Sequence, residues 1–370
     1  MTKRRKKVVI DVNSAMPLYS RGWLSGIGRT TKELVESMDS LGELPYDIVL
    51  YSQNTKCVSG KELGTSFVCK HLSLPHKEWM NRIVSLTRLR EISTHYDLLH
   101  VPHNFEYVCH PEKTVITLHD AMFFAFPDET FDYESAQKKY PRLARKCKGI
   151  ITCSESSKKD IMRYMDVDEK RIYVCQWGYN DRLFYRKERK KTGYPYFLSV
   201  SCSLGRKNTM AIVKAYEKLV RNNPTHELVL VWPNTPREVV EYCNQEHLRN
   251  HIYISTDIDD ERLSVLYNEA TATFFTSRYE GFGLPLLESM ACGTPVVTCN
   301  NSSLPEVGGD VAIYVDPDDI DGISKCMERF ENREYDYESL QNRCEEQAHK
   351  FSWRKCAEQT ARIYQDLVEA

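Results

Sequence analysis

Nowhere in the 370 residues is there an unbroken apolar run of the about 18 side chains that a bilayer-spanning helix requires. The chain is therefore expected not to be integral to a membrane. Secretion is not expected either: the basic start MTKRRKK, Met1 to Lys7, runs straight into Val8-Val9-Ile10, with neither an apolar h-region nor a small-residue cleavage site behind it. A cytoplasmic location is the expectation. An excess of one charge is also absent, since the formal net charge is -2, and this removes global basicity as an argument for a nucleic-acid partner. Two local basic runs remain, Lys3 to Lys7 and Arg186 to Lys191 with Glu188 inside it. Each is either a solvated surface or a weak electrostatic hold on an anionic membrane, peripheral to its inner face. The cysteines number 13 and never stand as C-x-x-C, so neither a disulfide framework nor a zinc site is suggested. Two nucleotide signatures are lacking as well. Gly26-Ile27-Gly28 has no third glycine of the dinucleotide fingerprint and no G-x-x-x-x-G-K-[ST] occurs, which removes dehydrogenase and kinase readings.

What is present is alternation. Short β-branched runs bounded by polar or glycine-containing turns alternate with amphipathic stretches, the pattern of βαβ units around a parallel sheet. Strands are expected at Val8 to Val12, Asp47 to Tyr51, Leu98 to Val101, Val115 to Leu118, Gly149 to Cys153 and Ile172 to Cys175. A helical pattern covers Thr30 to Leu41, where Leu34, Met38 and Leu41 recur at helical spacing. The alternation restarts at Tyr196 to Ser201 and continues through Glu227 to Val231, His251 to Ile254, Thr273 to Phe275, Pro295 to Thr298 and Ala312 to Val315. Trp177 to Pro195, with two glycines, a proline and the second basic run, is the expected linker between two doubly wound α/β domains. Ser352 is the expected N-cap of a terminal helix reaching Val368.

The stretch richest in chemistry is Ser277 to Asp316, SRYEGFGLPLLESMACGTPVVTCNNSSLPEVGGDVAIYVD. Gly281 and Gly283 permit a tight turn and close approach to a ligand, Pro285 suits the first turn of a helix, and Gly293 suits its stop. A glycine-rich loop feeding a short helix presents free N–H groups and a positive dipole end, which attract phosphate. Glu280 in the loop and Glu288 in the helix are separated by seven residues, a spacing that lets both carboxylates line one wall and bind sugar or ribose hydroxyls.

Glu280-Gly281-Phe282-Gly283-Leu284-Pro285-Leu286-Leu287-Glu288, with Ala291, Gly293, Pro295, Pro305 and Glu306, resembles the Glu-x7-Glu segment of the retaining glycosyltransferases of family 4, mannosyltransferases among them. The resemblance extends more weakly over nearly the whole chain. Ser25-Gly26-Ile27-Gly28-Arg29, preceded by Asp11, resembles the family's glycine loop, although a turn leading into a helix explains these glycines about as well. Thr117-Leu118-His119-Asp120 follows a strand, and the resemblance places His119 at its carboxyl edge, facing the transferred sugar. Arg206-Lys207-Asn208 resembles the basic pair used on the donor pyrophosphate. This chain departs from many relatives in having Ser201-Cys202-Ser203 before Leu204-Gly205, which leaves Arg206 less secure in that role than Lys207.

The resemblance implies a GT-B architecture. Residues 1–180, completed by a helix at 352–370 that crosses back, form the acceptor-side Rossmann-like domain, and residues 181–351 form the donor side, facing it across a cleft. It implies His119 and Glu280 as catalytic residues, and Gly26, Gly28, Arg206, Lys207, Phe282, Gly283, Leu284 and Glu288 as donor-binding residues. Lys207, Arg206 and backbone N–H groups would then stabilise the leaving diphosphate as a metal ion does elsewhere, so no metal and no cofactor is expected. Asp257-Ile258-Asp259 and Asp316-Pro317-Asp318 have the form of manganese-binding triplets, but read as helix-start carboxylates. The donor is a GDP- or UDP-sugar, with mannose favoured because relatives carrying GIGR and RKN arrangements often use GDP-mannose. The acceptor is a saccharide or lipid-linked saccharide in surface polysaccharide synthesis. Leu74 to Arg90 and the aromatic Met122 to Tyr133 are the candidate acceptor segments, in which Trp79, Phe123, Phe124 and Phe126 either stack on a ligand or pack in the core. A nucleotide-sugar epimerase and a donor-binding protein without turnover are the rival readings.

Overall fold

The computed structural model describes residues 4–18, 24–55, 62–103, 107–127, 133–188, 194–201 and 205–370. Lys3, Arg189 to Lys191 of the second basic run, Cys202 to Leu204, and residues 128–132 of the aromatic segment lie outside the described residues. The chain forms two units: residues 1–178 with 352–370, and residues 179–351.

The first unit is built on strands β1 (Lys7–Asp11), β2 (Asp47–Gln53), β3 (Val68–Leu72), β4 (Leu98–Val101), β5 (Thr114–Thr117), β6 (Gly149–Thr152) and β7 (Ile172–Val174), in the spatial order β3-β2-β1-β4-β5-β6-β7. All pairings are parallel. An all-parallel sheet is covered on both faces, which is why its inner strands are apolar almost without a break. The period of two then sorts them: Val8 and Ile10 join one buried layer with Leu34, Val35 and Met38, while Val9 joins the other with Val101 and Ile116. The sequence reading missed β3, whose VCKHL carries polar residues because it is an edge strand and only partly covered. The first helix, α1, spans Gly26–Asp39; α2 spans Glu78–Leu86 and α3 Leu89–Ser93. The C-terminal helix, Trp353–Glu369, capped by Ser352, closes this unit: Trp353, Cys356, Ala357, Tyr364 and Leu367 enter its core, and Tyr46 Oη donates to the Ala361 carbonyl at 2.8 Å.

In the second unit β8 (Tyr196–Val200), β9 (Glu227–Val231), β10 (Ile252–Ser255), β11 (Ala272–Phe275), β12 (Val296–Cys299) and β13 (Ile313–Val315) run in the order β10-β9-β8-β11-β12-β13, again all parallel. Helices α4 (Thr209–Val220), α5 (Asp260–Glu269), α6 (Leu284–Ala291) and α7 (Ile320–Glu331) belong to it. Asp259 caps α5 by accepting from Arg262 N, and Asp319 caps α7 by accepting from Gly322 N. In both sheets the strand order reverses once, between β1 and β4 in the first and between β8 and β11 in the second. Open α/β sheets bind ligands beyond the carboxyl ends of the strands at such points. No helix among the described residues is long and apolar enough to cross a membrane.

Candidate active site

At the switch point of the second unit the chain leaves β8 and β11 side by side, and both following segments carry charge. Lys207 Nζ lies 2.7 Å from Glu280 Oε1, and Arg206 Nη1 lies 3.0 Å from Glu280 Oε2, so two cations bracket one carboxylate. Arg206 also donates to the Tyr279 carbonyl at 2.8 Å, and the Lys207 ammonium sits 4.9 Å above the Phe275 ring. Burial alone would raise the Glu280 pKa, but Lys207 and Arg206 outweigh it and hold the carboxyl below its ordinary value. The group is ionised, and the cluster keeps one net positive charge. The Lys207 ammonium carries three hydrogens, of which Glu280 accepts one.

The third residue of the basic triplet has a different task. Asn208 holds a left-handed conformation (φ 55°) just before α4, and its Nδ2 donates to the Thr276 and Pro317 carbonyls at 3.2 and 2.6 Å. Arg278 donates to Asn208 Oδ1 at 3.0 Å and pairs with Asp318. Arg206 and Lys207 are thereby fixed between two anchored loops.

The loop after β11 is pinned by residues to which the sequence reading assigned no role. Ser303 Oγ lies 2.9 Å from the carbonyls of both Glu280 and Phe282, sharing its single hydrogen between them, while Ser302 Oγ accepts from Glu280 N at 3.0 Å. Two adjacent serines after a strand carry no signal of this kind by themselves; only the fold brings them under the loop. Gly283 has φ 112°, which a side-chain-bearing residue rarely adopts, and it turns the chain into α6 with Leu284 first and Pro285 in the opening turn. Phe282 is buried, edge-on to Phe351. Glu288, in the second turn of α6, is buried and accepts from Tyr267 Oη of α5 at 3.3 Å. The structure thus joins Arg206, Lys207 and Glu280 directly, and sets Glu288 farther along the helix that the same loop opens.

In the first unit the switch point is polar and deeper. Asp11, the last residue of β1, is fully buried; Asn13 donates to its Oδ1 from the backbone at 3.0 Å and from Nδ2 at 2.7 Å. Arg90 Nη2 stands 3.3 Å from Oδ2, and His103 Nε2 stands 3.4 Å from Oδ1. Burial would raise the Asp11 pKa, but His103 and Arg90 hold it well below the carboxylate range. His119, two residues past β5, is nine-tenths buried with its ring edge-on to Trp177, centroids 5.2 Å apart. Among the described residues neither ring nitrogen bonds another side chain, and the Pro102 backbone is the polar group that faces the ring. Burial, with the His103 charge behind it, pushes the His119 pKa down to about 3, so the ring is neutral at physiological pH and offers one donor and one acceptor. Its backbone is held firmly, the carbonyl accepting from Ser157 Oγ at 3.0 Å.

The glycines near the first strand stand where a turn passes into a helix. Ser25 is an N-cap and α1 already begins at Gly26, so Gly26 and Gly28 lie in its first turn, with Gly28 N donating to Ser25 Oγ at 3.1 Å. Gly28 is demanded by packing: a Cβ there would stand 2.4 Å from the Ser14 carbonyl oxygen, whereas one at Gly26 would meet nothing within 4 Å. Of the acceptor-side aromatics, Phe123 packs on Tyr140 and Phe124 stacks on Tyr164, both half-buried, while Trp79 is 58% exposed.

Two all-parallel Rossmann-like units, each with polar groups at its switch point, are the architecture of the GT-B type. The fold of this chain is that of a glycosyltransferase from Rickettsia africae (TM-score 0.76, 17% identity, 99% of each chain) and of WaaG, a glycosyltransferase involved in lipopolysaccharide biosynthesis (TM-score 0.71, 14% identity, 96% of this chain and 99% of that one). Residues 24–182 match the family described as Glycosyltransferase Family 4, and residues 181–351 match Glycosyl transferases group 1. The chain is 30% identical over 275 residues to the O-antigen chain mannosyltransferase B of Escherichia coli, covering 69% of this chain and 71% of that protein. It is 28% identical over 263 residues to the O-antigen chain mannosyltransferase RfbU of Salmonella typhimurium, covering 64% and 71%. The chain belongs to the family 4 glycosyltransferases.

Proposed function

We propose that the protein transfers a hexose, mannose being favoured, from a GDP- or UDP-sugar to a saccharide or lipid-linked saccharide acceptor in surface polysaccharide synthesis. Transfer proceeds with retention of anomeric configuration and without a metal ion, at a membrane with which the protein makes peripheral contact. The observation that carries this reading is the bracketing of Glu280 by Arg206 and Lys207 beneath the loop that opens α6. Two relatives named as mannosyltransferases support the sugar, and a GT-B neighbour solved with UDP and glucose supports the class of donor.

In this reading the bond from the sugar C1 to the β-phosphate oxygen breaks, negative charge collects on the diphosphate, and oxocarbenium-like charge develops on the ring. Lys207, Arg206 and the first N–H groups of α6 receive the phosphate charge, a task that preorganised donors perform without reorganisation. Glu280, kept ionised, accepts from hydroxyls of the sugar, and Glu288 accepts from the ribose. Neutral His119 hydrogen-bonds the sugar. The acceptor hydroxyl attacks C1 from the face the diphosphate leaves, and its proton passes to the departing phosphate oxygen, so no protein nucleophile is required.

Binding and slow hydrolysis of a panel of GDP- and UDP-sugars, with and without EDTA, test the reading against Lys207→Ala and Glu288→Ala. Selective binding of one donor that survives EDTA and is lost in both variants is expected; binding abolished by EDTA would overturn the metal-free mechanism. An inverted product by NMR would overturn retention, and an acceptor-free change of sugar configuration would make the protein an epimerase.

A further inference from the structure

Helix α2 is inside out. Of the eight large apolar side chains exposed among the described residues, five fall within residues 68–92: Val68, Trp79, Ile83, Leu86 and Ile92. Trp79, Ile83 and Leu86 recur at the i, i+4, i+7 spacing of one helical face and are 58%, 42% and 75% exposed; Ile92, on α3, is 77% exposed. The inward positions are Asn81 and Val84. Asn81 Oδ1 accepts from Gln53 Nε2 at 2.9 Å, and the same amide donates to the Pro75 carbonyl at 3.0 Å, so a buried polar contact with β2 sets the rotation of the helix. Rolling the apolar face inward would bury Trp79, Ile83 and Leu86 only by breaking those buried bonds.

The charges around this face are mainly basic, with Glu78 and Glu91 the acidic residues of the two helices. Lys77, Arg82 and Arg88 are exposed and form no ion pair among the described residues, while Glu78 is answered by Lys139 at 3.4 Å and by Tyr107 at 3.3 Å. Of the basic runs that the sequence offered for membrane contact, several described members are paired within the chain. Arg4 and Lys6 pair with Asp97, Arg5 with Glu43 and Asp47, and Arg186 with Glu345. A large apolar patch rimmed by unpaired cations is the composition of a surface that lies in the interface of an anionic bilayer, with tryptophan at the headgroup level. A second copy of the chain fits less well, because a two-fold contact through this patch would bring Lys77, Arg82 and Arg88 against their own equivalents.

We propose that the outward face of α2 and α3 docks on an anionic lipid surface, with Trp79, Ile83, Leu86 and Ile92 entering the headgroup boundary and Lys77, Arg82 and Arg88 meeting lipid phosphates. The docking face adjoins the acceptor-side residues of the same unit: His76, two residues before α2, sets its ring edge-on to His103, which faces Asp11 at the carboxyl end of β1. This deepens the reading of a membrane-borne acceptor and names where the membrane is met. Vesicle binding is measured without donor or acceptor, so it can fail while transfer stands, and the reverse.

The test is co-sedimentation of the full chain with vesicles of phosphatidylcholine alone and of phosphatidylcholine with phosphatidylglycerol, at low and high salt. Binding to the anionic vesicles only, weakened by salt, is expected. Leu86→Glu with Ile92→Glu should cut it at least about tenfold, and Arg82→Glu by at least about fivefold, with donor hydrolysis and circular dichroism unchanged. Brominated lipid should quench tryptophan fluorescence in the intact chain and much less in Trp79→Ser, an independent readout if a charge variant misfolds. Equal binding to neutral vesicles, or variants that bind as tightly as the intact chain, would overturn the proposal. So would a dimer in ultracentrifugation that Leu86→Glu dissolves, since it would assign the face to a second copy.

Discussion

The two switch points solve the problem of buried charge in opposite ways. In the second unit charge is placed against charge: Glu280 is satisfied by Lys207 and Arg206, and the cluster keeps one net positive charge. In the first unit Asp11 is locked by Asn13, Arg90 and His103, while the His119 ring is neutral and bonded to no other side chain among the described residues. One edge offers cations to an anionic ligand and the other offers a neutral ring. An ion-bracketed carboxylate resists protonation and movement alike, whereas a buried histidine with few polar partners costs stability.

That contrast can be broken most forcefully at Lys207. Lys207→Met leaves Glu280 buried with one cation and removes a donor to the leaving group, so kcat should fall by about 10²- to 10³-fold, with a lowered unfolding midpoint in urea; a fall in activity below about tenfold would put Lys207 outside the reacting region. His119→Gln should lower kcat by about 10- to 100-fold with donor affinity nearly unchanged by calorimetry. A loss confined to donor binding would place His119 on the nucleotide instead.

The next effect is on the fold. Gly28→Ala should destabilise by about 1–3 kcal/mol because of the Ser14 carbonyl, while Gly26→Ala, in open space within the same turn, should be neutral or stabilise by up to about 1 kcal/mol. Paired denaturation curves check this, and equal effects would mean that α1 begins later than Gly26. The smallest effect is one of pH. The His119 pKa is depressed to about 3 in the folded chain, so its contribution to stability is whole above the unfolded value near 6.5 and is lost as the pH falls toward 3. His119→Gln should therefore flatten the decline of the urea midpoint between those limits by about 1.4 kcal/mol per pH unit at most; an unchanged slope would show that the ring is hydrated and pairs with water.

Much of this was legible in the chain. Leu98–Val101 and Glu227–Val231 stand where their apolar runs predict, and the other expected strands differ by a residue or two at their ends, because buried parallel strands need uninterrupted β-branched sequence. Edge strand β3 was not legible, since its composition answers to partial exposure. Arg206, Lys207 and Glu280 were each singled out as residues, but their mutual pairing spans more than seventy positions and depends on β8 and β11 being neighbours. Ser302 and Ser303 were missed for the same reason. The glycines at 26 and 28 stand where a turn passes into a helix, as expected, and the Ser14 carbonyl is what tells Gly28 from Gly26.

The C-terminal helix has a consequence for the order of events on the ribosome. The core of the first unit contains Trp353, Cys356, Tyr364 and Leu367, and Gly178 sits so close to Ser352 and Trp353 that a Cβ would stand 2.1 Å from Trp353 N. The portion before residue 179 therefore waits for a segment made after residue 351. Residues 179–351 can complete their own sheet during translation, while the earlier sheet keeps an open apolar groove until residues 353–369 have emerged. For that interval the nascent protein is a folded trailing unit behind an incomplete leading one, and the groove awaiting Trp353 is the surface a chaperone would have to shield.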